Sequence, residues 1–80
     1  MKVTPLANNQ YQVNHQGAEW LVSYESNIVY TNKNGKVFLD PKYYDYSRTT
    51  AKYRNQYLGM TSKQVQENID LGIFKFKNLN

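Results

Sequence analysis

Residues 40–59, DPKYYDYSRTTAKYRNQYLG, hold five of the eight tyrosines and both arginines of this 80-residue chain. Ser47 is a typical helix N-cap residue, because its hydroxyl can accept a hydrogen bond from a free backbone N–H one turn further on. Gly59 marks the end of the same helix, since the residue after a helix often takes the left-handed conformation, which glycine adopts without strain. Pro41 favours extended chain before the helix. The stretch therefore predicts a helix between Ser47 and Gly59.

The predicted helix has two unlike faces. Aromatic and hydroxyl side chains recur at helical spacing on one face, at Tyr46, Thr50, Tyr53 and Tyr57. Basic and polar side chains recur on another face, at Arg48, Lys52 and Asn55. The simpler interpretation places the tyrosine rings in the core with their hydroxyls reaching the surface, and leaves the basic face in solvent.

A second interpretation makes this stretch a contact surface. Tyrosine and arginine anchor interfaces, because they bury a large area at little entropic cost and carry polar ends. Five tyrosines exceed what one short amphipathic stripe needs, so some are expected to be exposed. The predicted partner-binding residues are Lys42, Tyr43, Tyr44, Tyr46, Arg48, Lys52 and Arg54. For Arg54 the alternative is an internal ion pair with Asp40 or Asp45, which would make it structural.

Residues upstream of this stretch predict three antiparallel strands between Trp20 and Asp40. In AEWLVSYES (18–26) apolar side chains alternate, and Trp20 is interpreted as a core anchor. Asn34-Gly35 lies between NIVYT (27–31) and KVFLD (36–40) and predicts a tight hairpin turn with positive φ at both residues. Residues 1–16 are polar and weakly patterned, but QYQVN (10–14) alternates as a short strand would, so a less ordered N-terminal strand is expected there.

The residues after Gly59 predict a second helix and a closing strand. Thr61 and Gln64 have the spacing of a capping box, Val65 and Ile69 would face the core, and Gly72 would end the helix. IFKFKNL (73–79) is interpreted as a strand whose phenylalanines point inward. The predicted fold is a single α+β domain over residues 1–80, with a small antiparallel sheet (a three-stranded meander plus a C-terminal strand) and two short helices.

Composition narrows the class of protein. There is no cysteine, so disulfides are excluded and a reducing compartment fits. Apolar runs are too short for a bilayer span and no signal-peptide core precedes them, which predicts a cytoplasmic protein without a membrane partner. The formal net charge is +4, and most of it lies in residues 41–60. A local basic patch favours an acidic partner, either nucleic acid or an acidic protein surface.

No catalytic motif is visible in the sequence. The one histidine, His15, has no cysteine, second histidine or serine–aspartate pair beside it, so a surface or turn role is the better interpretation. The four glycines are isolated and form no phosphate-binding loop. We therefore expect no enzyme activity, no metal, no cofactor and no catalytic residues.

Three segments carry a resemblance: WLVSYES (20–26), GKVFLDPKYYDYSRTTAKYRNQYLG (35–59) and TSKQVQENIDLG (61–72), with a closing LN. They resemble small, mostly uncharacterised proteins encoded by phages and prophages of Gram-positive bacteria, over about residues 19–80, and DYSRTTAKYRNQYLG is the specific part. The resemblance implies an origin and a size class, and it assigns no functional residue. Small phage proteins without catalytic residues often bind and block a host protein, as anti-CRISPR proteins do.

Three functions follow as hypotheses. The first is a non-enzymatic inhibitor that blocks a host protein, such as a defence nuclease, through the tyrosine- and arginine-rich surface. The second is a nucleic-acid-binding module in which the basic helix contacts phosphates of DNA or RNA and tyrosines stack on unpaired bases. The third is a structural or assembly protein of a phage particle.

Overall fold

The computed structural model describes residues 1–80, which form one six-stranded sheet and two helices. The strands and helices, in chain order, are β1 (Lys2–Ala7), β2 (Gln10–His15), β3 (Ala18–Ser23), β4 (Ser26–Thr31), β5 (Val37–Leu39), α1 (Arg48–Leu58), α2 (Ser62–Asp70) and β6 (Lys75–Phe76). The sheet order equals the chain order. Strands β1 to β5 are antiparallel neighbours, and β6 pairs parallel with β5 after the two helices have crossed over.

The predicted α+β fold, with a three-stranded meander plus one C-terminal strand, is wrong. The sheet is mixed and has six strands, and the protein is mostly β. The largest difference lies in residues 1–16, where a hairpin of two six-residue strands extends the sheet. Val3 pairs with Val13 and Pro5 with Tyr11, so the apolar residues of this polar segment meet across the two strands. Such cross-strand pairs stabilise a hairpin even where one strand alone has a weak pattern.

Helix capping follows the sequence signals. The Ser47 hydroxyl accepts a hydrogen bond from the backbone N–H of Thr50 at 3.1 Å, and Gly59 ends α1 with a φ of 68°. Thr61 and Gln64 form the predicted capping box at the start of α2. Both capping predictions are therefore confirmed. The sequence can predict a cap because the cap depends on residues within one turn of the helix end.

The core lies between the sheet and the helices. Its buried apolar side chains come from β3, β4, β5, α2 and the segment before β6: Leu21, Ile28, Val29, Leu39, Val65 and Phe74. A register shift between β3 and β4 lets the adjacent residues Ile28 and Val29 both be buried. Helix α1 crosses the same face, where the hydroxyls of Ser23 and Thr50 lie 2.9 Å apart.

Three local interpretations from sequence are wrong. Trp20 is outside the core, because Leu21 and Ser23 are the β3 residues buried against the helices, which turns Trp20 to the opposite face. Phe74 is buried as expected, but Phe76 is exposed. The β4–β5 turn is a five-residue loop in which Gly35 has a φ of 83° and Asn34 has no positive φ.

Candidate functional site

Arg54 of the predicted contact surface lies inside the protein. Its side chain is only 2 % exposed, and the guanidinium donates to the Tyr44 carbonyl at 2.9 Å and to the Asp45 carboxylate at 3.2 Å. It also donates to Asn55 and to the Ser62 hydroxyl at the start of α2. The ion pair with Asp45, one of the two alternatives stated above, is therefore present. Arg54 joins the loop before α1 to the start of α2.

The other predicted contact residues fall into two groups. Tyr43 and Tyr44 are half-buried and pack against the core, and the Tyr44 ring lies 5.2 Å from the Phe76 ring. Exposed side chains form the rest of the patch: Lys42, Tyr46, Arg48 and Lys52. Tyr46 is 66 % exposed and its ring lies 5.7 Å from that of Tyr43. The structure thus keeps a smaller basic and aromatic patch beside the start of α1.

A second surface is the sheet face turned away from the helices, which we call the open face. Trp20, Tyr30 and Phe38 are direct cross-strand partners on β3, β4 and β5, so their side chains lie side by side on this face. The Trp20 and Tyr30 ring centroids are 5.0 Å apart, and those of Tyr30 and Phe38 are 6.0 Å apart with planes 22° from parallel. All three residues are partly exposed. We call them the aromatic row.

The aromatic row continues into apolar neighbours toward β1. Val13 pairs with Trp20, and Val3 pairs with Val13, so one line of apolar side chains crosses β1 to β5. Val3 and Tyr11 are among the exposed large apolar residues of the chain. Apolar surface of this extent on a small protein commonly marks a binding site.

The charge of the open face is basic. The Lys77 ammonium lies 6.0 Å from the Tyr30 ring centroid and 5.5 Å from that of Phe38, and Lys75 is the β6 partner of Phe38. Lys33 lines the groove beside Trp20 and Tyr30. Glu19 is the one acidic residue within a strand, and it faces α1, where its carboxylate accepts a hydrogen bond from Tyr57 at 3.2 Å. The strands therefore place no Asp or Glu on the open face. Anionic ligands are favoured on such a face.

A groove of about 350 Å³ lies beside Trp20 and Tyr30 of the aromatic row. Trp20 and Tyr30 form one wall, and the β2–β3 turn and the β4–β5 loop supply polar side chains at the rim, at Gln16, Asn32, Lys33 and Asn34. The groove therefore joins an aromatic wall to a polar, basic rim.

Two ionisable groups on the helix side have shifted pKa values. Burial alone would raise the pKa of the Asp40 carboxyl, but four hydrogen bonds outweigh burial and hold that pKa below its ordinary value of 3.8. The donors are the backbone N–H of Leu79, the side chain of Asn80, and the N–H groups of Tyr43 and Lys42. Asp40 thereby fastens the C-terminal residues to the loop that precedes α1.

Tyr57 is the second shifted group. Its hydroxyl lies 3.1 Å from that of Thr31 and donates to the Glu19 carboxylate. Burial raises the pKa of Tyr57 to about 12, and the charge of Glu19 acts in the same direction. The phenol therefore stays protonated and serves as a structural link between α1, β3 and β4.

The chain has neither a cluster of metal ligands nor a membrane-spanning helix. No three side chains of the His, Asp and Glu types come together in a way that could hold a metal ion. Neither helix has the length and apolar character needed to cross a membrane.

The chain is a small, mostly β protein in which the helices cover one face of the sheet and leave the other face open. A family model described as "Family of unknown function (DUF8033)" matches residues 1–72, so the chain belongs to this family. The match includes the N-terminal hairpin, which the resemblance over residues 19–80 left outside. Neither a curated protein nor a solved structure matches the chain.

Sequence reasoning missed the open face. The sequence places Tyr30 and Phe38 on strands without a functional role, interprets Trp20 as core, and gives Lys75 and Lys77 phosphate contacts only beside the basic helix. Alternation in KVFLD did place Phe38 opposite Val37 and Leu39. The missing information was the pairing register, which alone brings three aromatic side chains from three strands together.

Proposed function

We propose that this protein is a non-enzymatic binding protein whose open face binds single-stranded nucleic acid. The observation that carries the proposal is the aromatic row of Trp20, Tyr30 and Phe38, which is partly exposed on a sheet face that bears lysines and no acidic strand residue. Proteins that bind single strands combine aromatic side chains, on which bases stack, with cations that follow the backbone. A four-stranded sheet with stacking aromatics serves the same purpose in a common RNA-binding module.

The cations of the open face set the expected salt dependence. Lys33, Lys75 and Lys77 can contact about three phosphates, and each contact to a single strand contributes about −0.7 to the slope of log K against log salt. A slope of about −2 follows, so binding is expected to be weak at physiological salt. This surface replaces the basic helix as the site of the nucleic-acid hypothesis, because it offers aromatic rings and cations together.

The experiment is a fluorescence anisotropy titration of fluorescein-labelled dT12 at low salt. Tyr30→Ala removes the central ring of the row and should weaken binding by about 5- to 150-fold, the range found for loss of one stacked base. Tyr46→Ala is the matched control, since that tyrosine is exposed on the helix side. Equal affinity of the two variants would overturn the proposal. A dimer that Tyr30→Ala converts to a monomer would instead assign the face to a second copy of the chain.

A second candidate function is the protein-binding inhibitor predicted from sequence. The observation that favours it is the exposed patch of Lys42, Tyr46, Arg48 and Lys52, which holds two residue types common in binding hot spots. Affinity capture from a Gram-positive lysate, with and without nuclease, tests it. A protein retained by the wild type after nuclease and lost with Tyr46→Ala plus Arg48→Ala supports this function, and undiminished capture by that variant contradicts it. A phage origin and an anti-CRISPR role stay predictions that belong to this candidate.

A further inference from the structure

The groove beside Trp20 and Tyr30 has the composition of a base-recognition site. We propose that it takes one unpaired base of the bound strand and distinguishes among bases through the side-chain amides of Gln16 and Asn34. This inference rests on the proposed function, since it assigns a specificity to the same face. It concerns a different property, however, because the aromatic row stacks on any base whereas amides read the edge of a particular one.

The first argument is position. Trp20 and Tyr30 belong both to the aromatic row and to the groove wall, so a strand stacked on the row leads directly into the groove. Lys33 at the rim can neutralise the phosphate of the entering nucleotide. The volume of about 350 Å³ lies within the ~300–1,000 Å³ typical of small-ligand sites.

The second argument is chemistry. The Gln16 and Asn34 amides each offer N–H donors and a carbonyl acceptor, and nucleobase edges carry complementary donors and acceptors. In a single strand these edges are free of Watson–Crick partners and can be read directly. The Gln16 and Asn34 amides make no side-chain hydrogen bond within the protein. The Asn32 side-chain oxygen, in contrast, already accepts two hydrogen bonds from the backbone of its own loop.

The third argument is rigidity. The Asn32 side-chain oxygen (Oδ1) accepts hydrogen bonds from the backbone N–H groups of Asn34 at 3.0 Å and Lys36 at 2.9 Å, which fixes the β4–β5 loop. The β2–β3 turn approaches this loop closely, because a Cβ built on Gly17 would lie 3.3 Å from the Lys33 Cβ. A preformed rim loses little entropy when a ligand orders it. The two loops therefore hold the backbone positions from which the Gln16 and Asn34 side chains extend.

The test compares dA12, dC12 and dT12 with wild type and with the double variant Gln16→Gly plus Asn34→Ala. Glycine is chosen at position 16 because the backbone there has a φ of 51°, which glycine adopts freely. Wild type should prefer one oligomer by at least about 5-fold, the lower end of discrimination by one bidentate amide contact. The variant should bind all three within about twofold, at the affinity of wild type for its weakest oligomer. Asn8→Ala, in the exposed β1–β2 turn, is the matched control and should keep the preference.

The outcomes separate this inference from the proposed function. If wild type binds all three oligomers equally, the inference is wrong while binding by the open face stands. A preference that survives in the double variant also overturns the inference, because the amides would then not be its source. If wild type binds no oligomer even at low salt, the proposed function fails and the inference fails with it.

Discussion

The Arg54 guanidinium lies 3.2 Å from the Asp45 carboxylate, yet Arg54 is 2 % exposed and Asp45 is 62 % exposed. The two partners therefore contribute very differently to stability. The exposed end of the pair is screened by solvent, so the Coulomb attraction itself contributes less than about 1 kcal/mol. The buried end donates to the Tyr44 carbonyl and to the Asn55 side-chain oxygen, which have no other donor in the protein, and to the Ser62 hydroxyl, which also accepts from Asn55. The structural value of Arg54 lies in these hydrogen bonds.

Arg54→Ala should lower the free energy of unfolding by about 2–4 kcal/mol, because it leaves the half-buried Tyr44 carbonyl and Asn55 side-chain oxygen without partners. In a domain of this size the loss corresponds to a decrease in Tm of about 10–25 °C. Asp45→Ala should cost less than about 1 kcal/mol. Thermal denaturation followed by circular dichroism measures both, with exposed Arg48→Ala as the control. Equal losses for Arg54→Ala and Arg48→Ala would contradict the structural role of Arg54.

Gln10→Met should leave the protein equally stable or stabilise it by about 1–2 kcal/mol. The Gln10 side chain is fully buried, and neither its amide nitrogen nor its amide oxygen has a hydrogen-bond partner within the chain. A buried amide without partners loses its hydration at a cost of about 1–3 kcal/mol, and methionine has a similar shape without that cost. Urea denaturation gives the difference, with the exposed Gln56→Met as the control. A loss above about 1 kcal/mol would show that the amide is needed.

Asp40 should make stability fall in acid. Its folded-state pKa is below 3.8, so the unfolded chain binds more protons than the folded chain in this range. The stabilisation from Asp40 is therefore complete above its ordinary pKa and disappears as pH falls through the lower, folded-state pKa. Urea denaturation between pH 2 and pH 7 should show this decline in wild type and a smaller decline in Asp40→Asn. Parallel pH profiles of the two proteins would contradict the assignment.

Tyr57 should make stability fall in alkali. Its pKa rises from 10.0 in the unfolded chain to about 12 in the folded chain, so the folded chain keeps the phenol proton longer. The contribution of Tyr57 is complete below pH 10 and is lost as pH rises through about 12. Absorbance at the phenolate band should show one tyrosine fewer titrating near pH 12 in Tyr57→Phe. Identical titration curves for the variant and wild type would argue against the shift.

The helices could be predicted from sequence because their signals are local. Ser47, Gly59, Thr61 and Gln64 each act within one helical turn, so each was assigned correctly. The N-terminal hairpin was underestimated, because its stability comes from the pairing of Val3 with Val13 and from the attachment of β2 to β3. Such contacts are invisible in the pattern of one strand.

The candidate site could be predicted only in part. Alternation shows that Trp20 and Leu21 point to opposite faces, but only the position of the helices decides which face is the core. The contact surface predicted for the tyrosine-rich stretch stays a prediction, and within it Arg54 is buried and Tyr44 is half-buried. The aromatic row depends on the register of three strands, and Lys77 joins it because β6 returns beside β5. Those long-range relationships required the structure.

If bases stack on the open face, Trp20 reports on the stacking directly because it is the one tryptophan of the chain. We would titrate the protein with unlabelled dT12 and follow its tryptophan emission. Stacking of bases on Trp20 predicts saturable quenching of this emission, with a binding constant that falls with salt at a log–log slope of about −2. A twelve-base-pair duplex, whose bases are already stacked, should leave the emission unchanged. Constant emission with dT12 at low salt, or equal quenching by the duplex, would contradict the stacking of unpaired bases on the open face.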